Sequence, residues 1–243
     1  MTEAENVNIW LLPDRPARGP KPAYSRAQIT ETAVRLADAE GIEAASMRRI
    51  AAEIGAGAMS LYRYVPSRDD LIELMIDHTV GEIEYPERPT GDWRHDLALL
   101  GHGWRAMWRR HSWLLFIRRG GPSFGPNQIR IMEFTFSVLD VGIPIDEILS
   151  LSGLLTGYVE SAVRGEVGWR EQLESTGMSM QEWTAKSHPL VRQFLESGDY
   201  PMLERVVRDA RQPHMDFDAR FRYGLDRTLD WIAGALPPDR FNG

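Results

Sequence analysis

The chain has 243 residues, no cysteine, and 28 Lys+Arg against 35 Asp+Glu, a net charge of −7. At 43% hydrophobic and 26% charged residues it has a globular composition, and lacking cysteine it has no disulfide framework, thiolate metal site or cysteine nucleophile. No window reaches the roughly 18 apolar residues of a membrane span, and the acidic start (Glu3, Glu5) lacks the basic region of a secretory signal. The expected compartment is cytoplasmic. The acidic total argues against a nucleic-acid partner, until it is divided along the chain.

Residues 1–23 read as a flexible leader. Pro13, Pro16, Pro20 and Pro22 disfavour helix, and only Ile9-Trp10-Leu11-Leu12 offers apolar surface. Helical periodicity then dominates, and no alternating run predicts a strand. Ser25 with Gln28 makes a capping box, and Ile29, Ala33, Leu36 and Ala37 form a stripe ending at Gly41. Ser46 caps a second helix, Gly55-Ala56-Gly57 breaks it, and a third runs over 58–64. A fourth is predicted over 68–84, with Leu71, Leu74, Met75 and His78 on one stripe. Pro86, Pro89 and Gly91 mark a boundary. Beyond it, helices are predicted over 92–110, 112–118, 127–141, 146–166, from 179 through Trp183, 189–197, 200–211 and 216–235.

Residues 46–65, SMRRIAAEIGAGAMSLYRYV, carry the functional signal. Helix, glycine turn and helix give the helix-turn-helix geometry, in which the second helix enters the major groove. Ile50, Ile54, Leu61 and Val65 supply a small core. Ala58, Met59, Ser60 and Arg63 are left to meet base edges: Arg bonds guanine, Ser bonds donors or acceptors, and Ala or Met touches a thymine methyl. Tyr62, Tyr64 and Arg68 suit phosphate.

With Leu61-Tyr62-Arg63-Tyr64-Val65-Pro66-Ser67-Arg68 at its centre, the stretch from Ser25 to about Asp77 resembles the tetracycline-repressor (TetR) family of bacterial transcription regulators. The resemblance implies that Met47 and Arg48 approach DNA from the supporting helix. It also implies that Ala58, Met59, Ser60 and Arg63 contact bases and that Tyr62, Tyr64 and Arg68 grip phosphates. Local charge agrees: residues 15–68 hold nine basic and five acidic side chains, a net of +4, leaving −11 elsewhere. Arg18 and Lys21 suggest an extended arm along DNA.

Residues 92–235 also resemble the tetracycline-repressor type of C-terminal domain, on Gly91-Asp92-Trp93, Trp104 to Trp108, Arg110-His111-Ser112-Trp113 and Gly153 to Tyr158. The family implies an apolar ligand pocket, for which His78, Trp104, Trp108, Phe116, Phe134 and Tyr158 are the candidates. They would suit a flat aromatic or lipophilic molecule. A tetracycline–magnesium site is not expected, because its histidine would fall near Arg118 and its asparagine near Leu100. The six histidines lack i, i+4 pairing, so no metal and no cofactor are expected.

A lone helix-turn-helix reads a half-site, so a homodimer is expected. Gly153, Gly157 and Ser161 lie at i, i+4 and i+8 and permit close helix approach. This helix and the last one, with Phe221, Leu225, Thr228 and Ile232, are expected to pair with their symmetry mates as a four-helix bundle.

The expectation is an all-α protein. It would have a leader at 1–23, a three-helix DNA-binding domain at 24–70, and a helical ligand-binding and dimerisation domain at 71–243. Its partners would be double-stranded operator DNA, a second copy and a small molecule, with no membrane. No triad, phosphate loop or carboxylate pair supports an enzyme. The rival is a helical carrier that sequesters a small molecule.

Overall fold

The computed structural model describes residues 8–12, 24–117, 124–209 and 216–237. The arm residues Arg18 and Lys21, and Arg118, lie outside them. Among the described residues the regular structure is all helical: α1 Arg26–Glu40, α2 Met47–Glu53, α3 Ala58–Leu61, α4 Arg68–Val80, α5 Trp93–Arg110, α6 Pro126–Leu139, α7 Ile145–Thr176, α8 Met180–Glu196, α9 Pro201–Asp209 and α10 Phe217–Ala235. No helix among the described residues is long and apolar enough to cross a membrane. The chain divides into two compact units, Met1–Ser152 and Gly153–Gly243.

In the first unit, α1 to α3 form a small head. Ser25 accepts from the Gln28 amide while Gln28 caps the Ser25 amide, as predicted. Ile29, Ala33, Ile50, Leu61 and Val65 are fully buried together as its core. Gly55 turns the chain between α2 and α3 at φ 69°, a conformation that costs glycine little. The Ile9–Leu11 turn also joins the protein. Ile9 is buried, and the Arg26 guanidinium donates to the Ile9 and Leu12 carbonyls at 3.5 and 3.4 Å.

Helix α4 packs on α1 of the head and on α5 and α6 of the body. Residue 70 is therefore no structural break: α4 starts at Arg68 and leaves the head as one rod. It stops at Val80, four residues short of expectation, where the Gly81 amide still bonds Asp77 O. Other helices outrun the sequence reading. α7 continues ten residues past 166, through Gly165 and Gly168, until Gly177 adopts φ 64°. Ion pairs Glu160–Arg164 and Glu166–Arg170 at i, i+4 support it. α8 passes through Pro189, where a break was predicted; proline removes one backbone hydrogen bond but here does not end the helix.

In the second unit, α7 and α10 meet at Tyr158. Its hydroxyl donates to Phe221 O at 2.7 Å and its ring lies 5.8 Å from that of Phe221. A side chain at Gly224 would collide with the Tyr158 ring, so glycine permits the approach.

Candidate nucleic-acid interface

The outer face of the head is built by a short α3. Ala58 to Leu61 is helical, and a turn follows in which the Tyr64 and Val65 amides bond Leu61 O at 2.9 and 3.0 Å. Leu61, fully buried, anchors it. That anchoring leaves Met59 81% exposed and Tyr62 43% exposed. Arg63 is exposed beside them, Ala58 is half-buried, and Arg48 is exposed on α2. Among the described residues Arg48 and Arg63 have no hydrogen-bond or ion-pair partner. Two exposed guanidiniums, a phenol and a thioether on the helix-turn-helix can grip phosphates and read base edges.

Four other expected contact residues are engaged by contacts within the head. Met47 is buried in its core, because the first turn of α2 lies over α1. Tyr64 is buried, its ring 5.2 Å from that of Tyr24 and its carbonyl accepting from Arg26 Nε at 3.2 Å. Ser60 donates to Gly57 O and accepts from the Tyr24 hydroxyl. Arg68 donates to the Ala45 and Ile42 carbonyls at 3.4 and 3.3 Å and pairs with Glu43 at 3.3 Å. Arg49 is likewise held, bidentate, by Glu40.

Behind the head, α4 is fastened to the body by a buried carboxylate. Asp77 accepts from the Asn127 and Gln128 amides at 2.9 and 3.0 Å, and from the Asn127 side chain at 3.0 Å, so it caps the N-terminus of α6. Burial pushes its carboxyl up from the ordinary value against the pull of these hydrogen bonds and of Arg130. Gly125 makes room: a Cβ there would collide with the Asp77 carboxylate. Sequence gave no sign of this contact, because its partners are 50 residues apart.

Of the six residues expected to line a ligand pocket, His78, Phe134 and Tyr158 each border a different cavity. His78 borders a cavity of about 480 Å³ with Asp38, Glu82 and His111. Phe134 is buried, its ring 5.0 Å from Tyr85, beside a groove of about 990 Å³ between the end of α4, the 81–89 loop and α6. Burial pushes the Tyr85 hydroxyl up, opposed by Arg130. Tyr158 borders a cavity of about 330 Å³ between α7 and α10. Trp104 and Trp108 are buried core residues and Phe116 is 53% exposed; none of them lines these three cavities. No cluster of His, Asp or Glu among the described residues is arranged to hold a metal.

On α7, Gly153, Gly157 and Ser161 are exposed, with open space around both glycines. On α10 the expected faces divide. Phe221, Leu225 and Ile232 are already buried within the chain, and Thr228 is half-buried. The exposed apolar residues of α10 are Tyr223 and Trp231.

Residues 29–75 match the family model "Bacterial regulatory proteins, tetR family", and residues 85–235 match "Tetracyclin repressor-like, C-terminal domain". The HTH-type transcriptional repressor DrrR1 of Streptomyces coeruleorubidus is 38% identical over 226 residues, covering 92% of this chain and 83% of that protein. An HTH-type transcriptional regulator of Saccharopolyspora erythraea is 30% identical over 168 residues, covering 69% of this chain and 71% of its own length. The structure of the Streptomyces coelicolor TetR family protein ActR in complex with actinorhodin superposes with a TM-score of 0.69 at 27% identity, covering 89% of this chain and 99% of that one.

Proposed function

Because the chain belongs to the TetR family of bacterial transcriptional regulators, we propose that it is a homodimeric repressor that leaves a palindromic operator when a small aromatic molecule binds its body. The observation that carries this reading is the set of partnerless or exposed side chains Arg48, Met59, Tyr62 and Arg63 on the helix-turn-helix. Arg63 and Met59 read bases, and Arg48 and Tyr62 hold phosphates. The curated relatives bear the names of repressor and regulator, which supports the direction of control.

The dimer forms through α7 and α10, where Gly153, Gly157 and Ser161 leave room for a close helix and Tyr223 and Trp231 supply apolar area. The ligand enters the groove of about 990 Å³, where Tyr85 and Phe134 give an aromatic wall and Arg88 and Arg130 cations. That ActR was crystallised with actinorhodin supports a small-molecule ligand here. A molecule in this groove touches Val80 and Gly81 at the end of α4 and Asn127 at the start of α6, so it bears on the Asp77 cap that fastens the two.

A gel shift with the DNA upstream of the gene tests the reading. The wild type retards it, salt weakens the complex, and Arg48→Ala or Tyr62→Ala abolishes it. Retardation by neither wild type nor variants, together with tight binding of a small molecule, makes the chain a carrier instead.

A further inference from the structure

The proposed operator contacts leave unused a histidine buried behind the head. His111 follows α5 and is 1% exposed. Its Nδ1 lies 2.7 Å from Asp38 Oδ1 on α1, and its Nε2 lies 3.1 Å from Glu82 Oε2 just after α4. The Trp113 indole donates to the same Asp38 oxygen at 2.7 Å, and its ring stands edge-on to the imidazole. Arg110 donates to the same Glu82 oxygen at 2.9 Å. The head, the end of α4 and the end of α5 thus meet at one ring. Glu31, Arg35 and His78 line the cavity beside it. With Asp38, Glu82 and Arg110, they are the charged and titratable groups around His111.

A neutral imidazole has one N–H and one bare nitrogen, and a carboxylate only accepts. Both nitrogens of this ring face carboxylate oxygens. Imidazolium satisfies both contacts. A neutral ring would set a lone pair against a carboxylate in a buried place, which is costly. Closing this seam therefore takes up a proton.

We propose that His111 is a positioning residue for the DNA-reading head: its imidazolium ties Asp38 to Glu82, fixes the head in the operator-binding state, and links operator affinity to proton uptake. The inference rests on the operator-binding function proposed above. A neutral ring gives up one of the two carboxylate contacts and loosens the seam. In acid, Glu82 protects it. Burial pushes the Glu82 carboxyl up, but hydrogen bonds and charge from His111 and Arg110 outweigh burial and hold it below the ordinary value. Its contribution is thus present above the ordinary carboxylate range and is lost only as pH falls through that lowered value.

The test is fluorescence anisotropy from pH 6 to 9 at constant ionic strength, with an operator selected from random DNA by the wild type. The full-length wild type is compared with His111→Gln and Glu82→Gln. Wild-type affinity falls as pH rises, by at most about tenfold per unit for one linked proton. His111→Gln binds weakly at pH 6 and its profile is flat. Glu82→Gln holds its affinity to pH 9, because the new amide donates to the bare Nε2 of a neutral ring while Nδ1–H stays on Asp38. Parallel profiles for wild type and Glu82→Gln overturn the proposal, whether or not His111→Gln folds. Nitrogen NMR of the ring reads the seam without DNA: two protonated nitrogens at pH 7 support it and one bare nitrogen overturns it. A wild type that selects no operator ends the functional reading, and the NMR result still decides the seam.

Discussion

On the outer face of the head, Arg48 and Arg63 are exposed and unpartnered among the described residues. On the inner side of the same head, a single Asp38 oxygen faces both the His111 ring and the Trp113 indole. Further along α4, Asp77 collects three N–H groups from the start of α6. The difference separates two kinds of functional residue. A surface that waits for an external partner keeps polar groups unspent and exposed. A joint that transmits position spends its polar groups internally, and no buried side-chain polar atom among the described residues lacks a partner.

Four substitutions can break or sharpen that contrast. Leu61→Ala strikes what both faces depend on. The side chain is fully buried, so its loss costs about 2–5 kcal/mol, and thermal unfolding followed by circular dichroism should show the head melting first. Arg63→Ala should leave stability within about 0.5 kcal/mol of wild type and cost about 1–3 kcal/mol in operator binding, read by anisotropy. A stability loss as large as the binding loss would place Arg63 with the joint residues. Gly125→Ala should act the other way. Its Cβ strikes Asp77, at a cost of about 1–3 kcal/mol in stability, while titration with DNA at low temperature still finds the reading face intact. Tyr158→Phe removes one hydrogen bond to Phe221 O and should cost about 0.5–1.5 kcal/mol with no change in operator affinity per folded dimer.

The same contrast sets how far the sequence could be read. Local signals held: the Ser25–Gln28 capping box, the Gly55 turn, at positive φ, and the apolar spacing that buries Ile50 and Leu61. Each is decided within a few residues. The joint was not legible. Asp38 and His111 lie 73 residues apart and Asp77 and Asn127 50, and neither pair leaves a periodic trace. The same blindness hid the surroundings of Ser60 and Tyr64. Their spacing suits DNA, but Tyr24, 36 residues away from Ser60, occupies them both. Phe221, Leu225 and Ile232 follow the same rule: helical spacing groups them, and only packing shows that the protomer itself buries them.

Charge illustrates the point at larger scale. The +4 of residues 15–68 is partly consumed within the head, since Arg26, Arg49 and Arg68 are bonded inside it. Among the described residues, what remains for DNA is concentrated at Arg48 and Arg63, which makes their spacing across a dimer the decisive quantity.

That spacing is what footprinting of the wild-type protein on its selected operator measures. The account predicts two protected half-sites related by a palindrome, with centres about 10–10.5 base pairs apart or a multiple of that. It also predicts affinity falling linearly with salt on a logarithmic scale. A single unpaired half-site, or protection independent of sequence, would contradict it.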